Sequence, residues 1–388
     1  MKGKKLIVIM AIFILLFSIQ AATALEEDNN LTLTHTSDTD IQTVDNTKDL
    51  VDSVDSKTTD MPEIVSDSSN NQNLSLNKAE SNDILGATDY YVNNTSLEEL
   101  RIFISNLTGP SNIFLQGNTF TGDITEAIVV KREIHFYGGN STTDPTRATF
   151  DLSQFKAGDN FINVTHTVGS ISGVNFVNAN RTGDMSFQGG KALMFIGSGS
   201  LDGVNNYVVS NCTFKNNFLD ISPGRETNIL KFYVDGHGGA VNNCEFYNNR
   251  LAYSVHVYAV GTNKRFTANN NKFINNTADP SLDSGANGNG LCFKIWNGIR
   301  NAYFINNTFI NNTNAIHGAA YCLMGRDIYI INNYLEGNHA VYAGGIEAHN
   351  GYIYVYNSTF INNLASGGSP QVKGGDRNAS GGAIGFLG

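Results

Sequence analysis

Proline and cysteine are scarce in this 388-residue chain, at 6 and 4 residues, and tryptophan occurs once. Four cysteines are too few for a small scaffold held together by disulfides. Charged residues make up only 15% of the sequence, and the Ala, Leu, Glu, Lys and Arg that long helices need are thin on the ground. The eight histidines show no H-x-x-x-H or similar ligand spacing. No P-loop, dinucleotide fingerprint or nucleophile elbow is present. These absences exclude a coiled coil, a nucleotide-binding α/β enzyme and a zinc finger.

What is abundant is glycine, 39 residues, together with asparagine. Both are turn formers, so the composition favours many short strands joined by many turns. Residues 1–24 read as a secretory signal: "MKGKK" is a basic n-region, "LIVIMAIFILLFSI" an apolar core, and "ATA" places cleavage after Ala24. The stretch 25–88 carries no hydrophobic period. From Glu26 to Asp89 it holds 15 acidic residues against Lys48, Lys57 and Lys78, a net of −12, while the chain from Tyr90 onward nets −1. The stretch is too thinly apolar to offset the entropy of ordering and reads as a disordered, self-repelling spacer. The folded part, near neutral, shows no basic excess for a nucleic-acid partner.

A repeat organises the remainder. "SNCTFKNN" at 210, "NNCEFYNN" at 242, "NNNKFINN" at 269, "INNTFINN" at 305, "INNYLEGN" at 331 and "YNSTFINN" at 356 share the pattern N-x-x-F-x-N-N, with a weaker relative, "SGVNFVNA", at 172. The aromatic or Leu falls at Phe176, Phe214, Phe246, Phe273, Phe309, Leu335 and Phe360, in steps of 38, 32, 27, 36, 26 and 25 residues. That spacing fits a coil of about 25 residues with loops inserted at one point. A glycine turn precedes each copy, as in "FKIWNG", "YCLMG" and "IEAHNG". The reading is three short strands per coil without helical crossovers: an all-β, right-handed parallel β-helix of roughly 9–10 coils over residues 89–388.

In "YIYVYNSTF" the alternation of inside and outside must break between Asn357 and Phe360, which marks a corner. Stacked about 4.8 Å apart, Asn211, Asn243, Asn270, Asn306, Asn332 and Asn357 are expected to form a buried amide ladder at this corner, beside a stacked Phe core. Asn211, Asn306 and Asn357 also head glycosylation sequons, which the ladder reading subordinates; Asn93, Asn94, Asn106, Asn140, Asn180 and Asn378 lie outside the repeat and remain acceptors. At the N-terminal end, "TSLEELRIFISNL" presents Ser96 and Glu99 as a capping box, with Leu97, Leu100, Phe103 and Leu107 on one face, so 96–107 is expected to be a helix closing the core.

The recurring F-x-x-N and the companions "GGAV" (238–241), "GGI" (344–346) and "GGAI" (381–384) resemble the paired GGAI and FxxN signatures of polymorphic outer-membrane-protein repeats. With the signal peptide and acidic spacer, the chain is similar to adhesin-like surface proteins of methanogenic archaea. The resemblance covers about residues 110–388. It implies a pectate-lyase-like β-helix, secreted or at the cell surface, that attaches to glycans or proteins of other cells without enzymatic activity. No cofactor and no membrane insertion of the mature β-helix are expected.

Right-handed β-helices also carry polysaccharide lyases and glycoside hydrolases, and a carbohydrate-active enzyme is the alternative; calcium enters only under it. "DGHGG" (Asp235–Gly239) contains the Gly-His-Gly of the polygalacturonase family, but that family's adjacent aspartates and its Arg-x-Lys are missing. No catalytic residue, metal ligand or cofactor-binding residue is therefore assigned. Cys212 and Cys244 occupy one repeat position, where a disulfide and a pair of stacked thiols both fit. The loops inserted after the F-x-N-N segment carry Asp220, Arg225, Asp279, Asp283, Lys373, Asp376 and Arg377, and are the candidate binding edge. The last coil reaches only its first side at Gly388, so further coils, a cap and an anchor are expected beyond it. Deleting residues 25–88 is expected to leave the β circular dichroism and the cooperative unfolding transition unchanged; a lower melting temperature would show that part of the stretch packs on the helix.

Overall fold

The computed structural model of the protein describes residues 76–79, 86–181, 191–197, 206–219, 227–234, 238–259, 265–278, 292–349, 351–367 and 381–387, all within the compact unit Asn71–Gly388. Ala24 and the signal segment, most of the acidic stretch, Asp235, His237 and all seven charged loop residues lie outside them. Among the described residues no helix is long and apolar enough to cross a membrane.

The chain is a parallel β-helix of three sides. Side three is a nine-stranded parallel sheet running from Thr119–Phe120 to Thr359–Ile361. Side one stacks Ile128–Val130, Ile162–Val164, Ala192–Ile196, Asn228–Val234, Tyr253–Ala259 and onward to Ile346–His349 and Ile384–Leu387. Side two climbs from Thr88–Val92 to Ile353–Tyr356. Two coils depart from three separate strands: Phe293–Ile305 and Tyr321–Ile331 run unbroken across the corner between sides one and two, with a register shift between Ile295 and Ile299. Glycine makes this corner passable. A Cβ on Gly325 would lie 2.7 Å from the Ile299 carbonyl, and one on Gly351 would lie 1.6 Å from the Gly325 carbonyl.

Parallel pairing in register stacks like on like. On side three Phe150, Phe176, Phe214, Phe246, Phe273, Phe309, Leu335 and Phe360 face one another coil by coil. From Phe176 to Phe309 the rings stack at 4.9, 4.8, 4.5 and 5.0 Å, within 16° of parallel. Each of those five is fully buried, and burying such a side chain contributes about 1.5–3 kcal/mol. The helix Leu97–Asn106 packs Leu97, Leu100, Phe103 and Ile104 inward, with Ser96 Oγ accepting from the Glu99 N–H as its N-cap.

The asparagine columns need a correction. Asn211, Asn243, Asn270, Asn306, Asn332 and Asn357 all adopt positive φ, between 45° and 56°, but their side chains are exposed and do not form the buried ladder. A left-handed residue turns the chain and resets the alternation, so its own side chain points out and the next one points in. The inward position belongs to the following residue: Cys212, Cys244, Asn271, Asn307, Asn333 and Ser358. Asn271 gives its backbone N–H and its amide to Asn307 Oδ1 at 3.0 and 2.9 Å, and the Asn307 N–H goes on to Asn333 Oδ1 at 2.9 Å.

A second ladder lies at the other end of side three, on the last Asn of each F-x-x-N: Asn217, Asn249, Asn276, Asn312, Asn338 and Asn363. In each step the N–H and the side-chain amide both donate to the next coil's Oδ1, at 3.0–3.1 and 2.8–3.0 Å. The second amide hydrogen goes back to the preceding coil's Phe or Leu carbonyl, as from Asn276 to Phe246 at 3.0 Å. Here too the preceding residue is left-handed: Asn216, Asn248, Asn275, Asn311, Gly337 and Asn362. Since the sequon asparagines 211, 306 and 357 are exposed, the ladder no longer weighs against their glycosylation.

One further expectation shifts. Strand Leu76–Ala79 pairs antiparallel with Thr88–Val92, so the spacer reading must stop before residue 76, and the deletion expected to be silent shortens to 25–75; an edge strand gains a ladder of backbone hydrogen bonds without needing a hydrophobic period. The glycine pairs fall on different sides of the helix. "GGI" and "GGAI" stack on successive coils, with Gly345 N–H donating to the Gly382 carbonyl at 3.0 Å, whereas Gly239 begins a side-two strand.

Asn307→Ala leaves Asn271 N–H, Asn271 Nδ2 and the Ala268 carbonyl short of a buried partner. It is expected to cost about 3 kcal/mol, at about 1–3 kcal/mol per buried group left unsatisfied. Asn306→Gly, at the left-handed position, is expected to be nearly neutral. Urea unfolding of the two variants checks this; equal costs would remove the ladder from the account.

Candidate functional site

Side one is unusual on its outer face. Val255, Val257, Phe293, Ile295, Leu323 and Ile346 fill the core, so the residues between them face away from it. Register then stacks Lys231, His256, Lys294, Cys322 and Glu347 on five successive coils, about 4.8 Å apart. Outward residues of a sheet are ordinarily wet. Here His256 is 4% exposed, Lys294 3%, Cys322 1% and Glu347 0%.

A buried charge persists only with partners. Lys294 Nζ donates to the Tyr253 hydroxyl at 2.8 Å and sits 4.4 Å from the Tyr253 ring and 4.6 Å from that of Trp296. His256 lies between Lys231 and Lys294 in the column, its ring 5.3 Å from that of Tyr253. Burial, reinforced by the two lysines, drives its pKa well below the ordinary histidine value, so the imidazole is neutral.

At the upper end of the column the groups converge. Glu347 Oε1 meets His317 Nδ1 at 2.7 Å and His349 Nε2 at 2.5 Å. His349 lies two residues beyond Glu347 on the same strand and so shares its face. His317 comes from the turn before Tyr321–Ile331, with its ring 5.3 Å from Tyr342 and 5.8 Å from His349. Cys322 lies directly beneath Glu347 in the sheet. One donor atom from each of His317, Cys322, Glu347 and His349 falls within 4.8 Å of all the others. Burial raises the Glu347 carboxyl, but the hydrogen bonds from the two imidazoles outweigh it and hold the pKa below the usual value. The second oxygen, Oε2, is buried without a hydrogen-bond partner.

Sequence reasoning passed over this cluster. The i, i+4 histidine test is built for helices, whereas in a solenoid ligands recur at the coil length, and Cys322 and Glu347 are one coil apart. The usable signal was Glu-x-His within a strand, "IEAH". Of the residues singled out in the sequence, Cys212 and Cys244 are both buried thiols in one column and not a disulfide. Each Sγ donates to the carbonyl two residues before it, at 3.1 and 3.3 Å, and burial, then the neighbouring Cys212, raises the Cys244 pKa. Cys322 aligns with Lys294 rather than with Cys292. Searches of family models, curated proteins and solved structures return no match to the chain.

The neutral, buried His256 makes stability depend on pH. Its folded pKa is depressed below about 6.5, the unfolded value, so the unfolded chain takes up the proton first. This contribution is complete above about pH 6.5 and declines as pH falls below it, by at most about 1.4 kcal/mol per pH unit. Thermal melts between pH 7 and pH 5 are expected to show a smaller decline for His256→Phe than for wild type; identical slopes would mean that His256 is not held neutral.

Proposed function

We propose that the protein is a non-enzymatic attachment protein, secreted or displayed at a cell surface, which holds a linear glycan or another surface polymer along one flank of its β-helix. The observation that carries this reading is the tyrosine row on the outer face of side two. Tyr303, Tyr329 and Tyr354 stack in register at 4.9 Å intervals, within 14° of parallel. Tyr352 and Tyr356 are exposed beside them, at 63% and 51%. Stacking occupies the ring faces and turns hydroxyls and ring edges outward at the repeat distance of the coils. Desolvation, followed by the neighbouring tyrosines, raises the Tyr329 pKa, so Tyr329 keeps its proton, and a phenolic hydroxyl can both donate and accept. A polymer lying parallel to the solenoid axis would meet one such group per coil. Solenoids commonly bind on such extended faces.

The adhesin-like resemblance of the F-x-x-N repeats supports the same reading. A carbohydrate-active enzyme is the second reading, favoured by Lys294 donating to the Tyr253 hydroxyl, a pair suited to proton transfer. Both groups are buried, as is Glu347, the only buried carboxylate among the described residues. A polymer cannot touch them without rearrangement.

The test is to incubate the full chain with plant and microbial polysaccharides, with and without calcium, and to measure retention and chain cleavage together. Retention without cleavage is expected, falling at least tenfold in Tyr303→Phe/Tyr329→Phe/Tyr354→Phe, which keeps the stack and removes the hydroxyls. Cleavage abolished by Lys294→Met would replace the attachment reading with the enzymatic one.

A further inference from the structure

We infer that His317, Cys322, Glu347 and His349 form a structural site for a divalent transition-metal ion of borderline softness, represented by Zn2+. The inference does not rest on the attachment reading. Among the described residues this is the one place where three or more such donors converge. The donor set is two imidazole nitrogens, a thiol sulfur and a carboxylate oxygen. Sulfur and nitrogen donors select zinc and its neighbours over calcium or magnesium, which require oxygen.

The geometry accommodates the ion with a small adjustment. Tetrahedral zinc, with bonds of about 2.0–2.3 Å, spaces its ligands roughly 3.3–3.7 Å apart. The donor atoms already lie within 4.8 Å of one another. The two imidazole–carboxylate contacts, at 2.7 and 2.5 Å, need to open by about 1 Å to reach that spacing. Both imidazole side chains are 13% exposed and stand at the rim of the cluster, so the opening is a small rotation.

The second observation is Glu347 itself. Its side chain is fully buried, and both imidazoles converge on Oε1 while Oε2 has no hydrogen-bond partner. A buried carboxylate oxygen left without a partner is costly. Coordination gives the carboxylate a cation in place of that deficit. On binding, the Cys322 thiol proton leaves to solvent, and each imidazole loses the N–H it directs at Glu347 Oε1, that proton passing through solvent to the other ring nitrogen or away, so that the freed lone pair faces the ion. Four protein ligands leave no open position, which assigns the ion a structural role: it ties the coil of Cys322 to the coil of Glu347 and His349, and fixes the turn that carries His317.

The test uses the full chain, stripped with a chelator and then dialysed against Zn2+ or Co2+, with metal content, thermal melting and absorption read together. Wild type is expected to retain one zinc per chain and to melt higher with zinc than without. Its Co2+ form is expected to show intense visible bands of a tetrahedral site and a thiolate-to-cobalt band in the near ultraviolet. Cys322→Ser is expected to lose the thiolate band, and Glu347→Gln and His349→Ala to weaken zinc binding at least tenfold. Circular dichroism in chelator checks that the variants fold; Glu347→Gln preserves the shape of the side chain and keeps the test valid if His349→Ala does not fold. Wild type that retains no zinc, a thiolate band that survives Cys322→Ser, or zinc binding unchanged in both Glu347→Gln and His349→Ala would each overturn the site.

Discussion

Everything in this fold depends on a backbone problem at the corners. A coil that turns twice around side three must direct backbone N–H groups into a core that offers them no strand partner, and unpaired buried N–H groups are rarely tolerated. Each corner combines two residues to meet this need. A left-handed Asn or Gly makes the turn, and the residue after it points inward; in the second ladder that residue is an Asn whose amide accepts from the coil before, through Oδ1, and inside the stack donates to both neighbours through Nδ2. At Asn276 and Asn312 every hydrogen-bonding group of the side chain is used. The phenylalanine stack then follows, because two fixed corners leave side three only three or four residues long, with one side chain at its centre.

That economy explains why the coils tolerate loops of such different lengths. From Phe176 to Phe309 the distance from one phenylalanine to the next ranges from 27 to 38 residues, yet the rings remain stacked within 5.0 Å. Register is enforced at the corners and not by the connections. It also explains the early coils, where Cys212 and Cys244 occupy the first ladder: a thiol that donates to a local carbonyl fills the same inward position without continuing the amide chain.

Much of the architecture was legible because the motif repeats. F-x-x-N carries the core ring and the ladder amide of one corner, and its recurrence in register fixed the coil and the stack. The first ladder was misread by one residue, and the reason is physical: the turn residue and the inward residue are both asparagine in three of six copies, and only the sign of φ separates them. The side-one cluster was hidden for a different cause. Lys231, His256, Lys294, Cys322 and Glu347 are of four residue types, so no repeat announces them, and only parallel register brings them into a line. The tyrosine row does repeat one residue type, but Tyr303, Tyr329 and Tyr354 each lie three residues before the corner Asn at which the N-x-x-F pattern begins, and so fall outside the motif.

The most direct test of the corner account is a double-mutant cycle between Asn276 and Asn312, on consecutive coils of the second ladder, measured by urea unfolding and compared with the same cycle at their left-handed neighbours Asn275 and Asn311. If side-chain amides carry the coil-to-coil constraint, Asn276→Ala and Asn312→Ala will couple by about 1 kcal/mol or more, while Asn275→Gly and Asn311→Gly will add independently. Independent costs at Asn276 and Asn312, or equal coupling in both cycles, would contradict it.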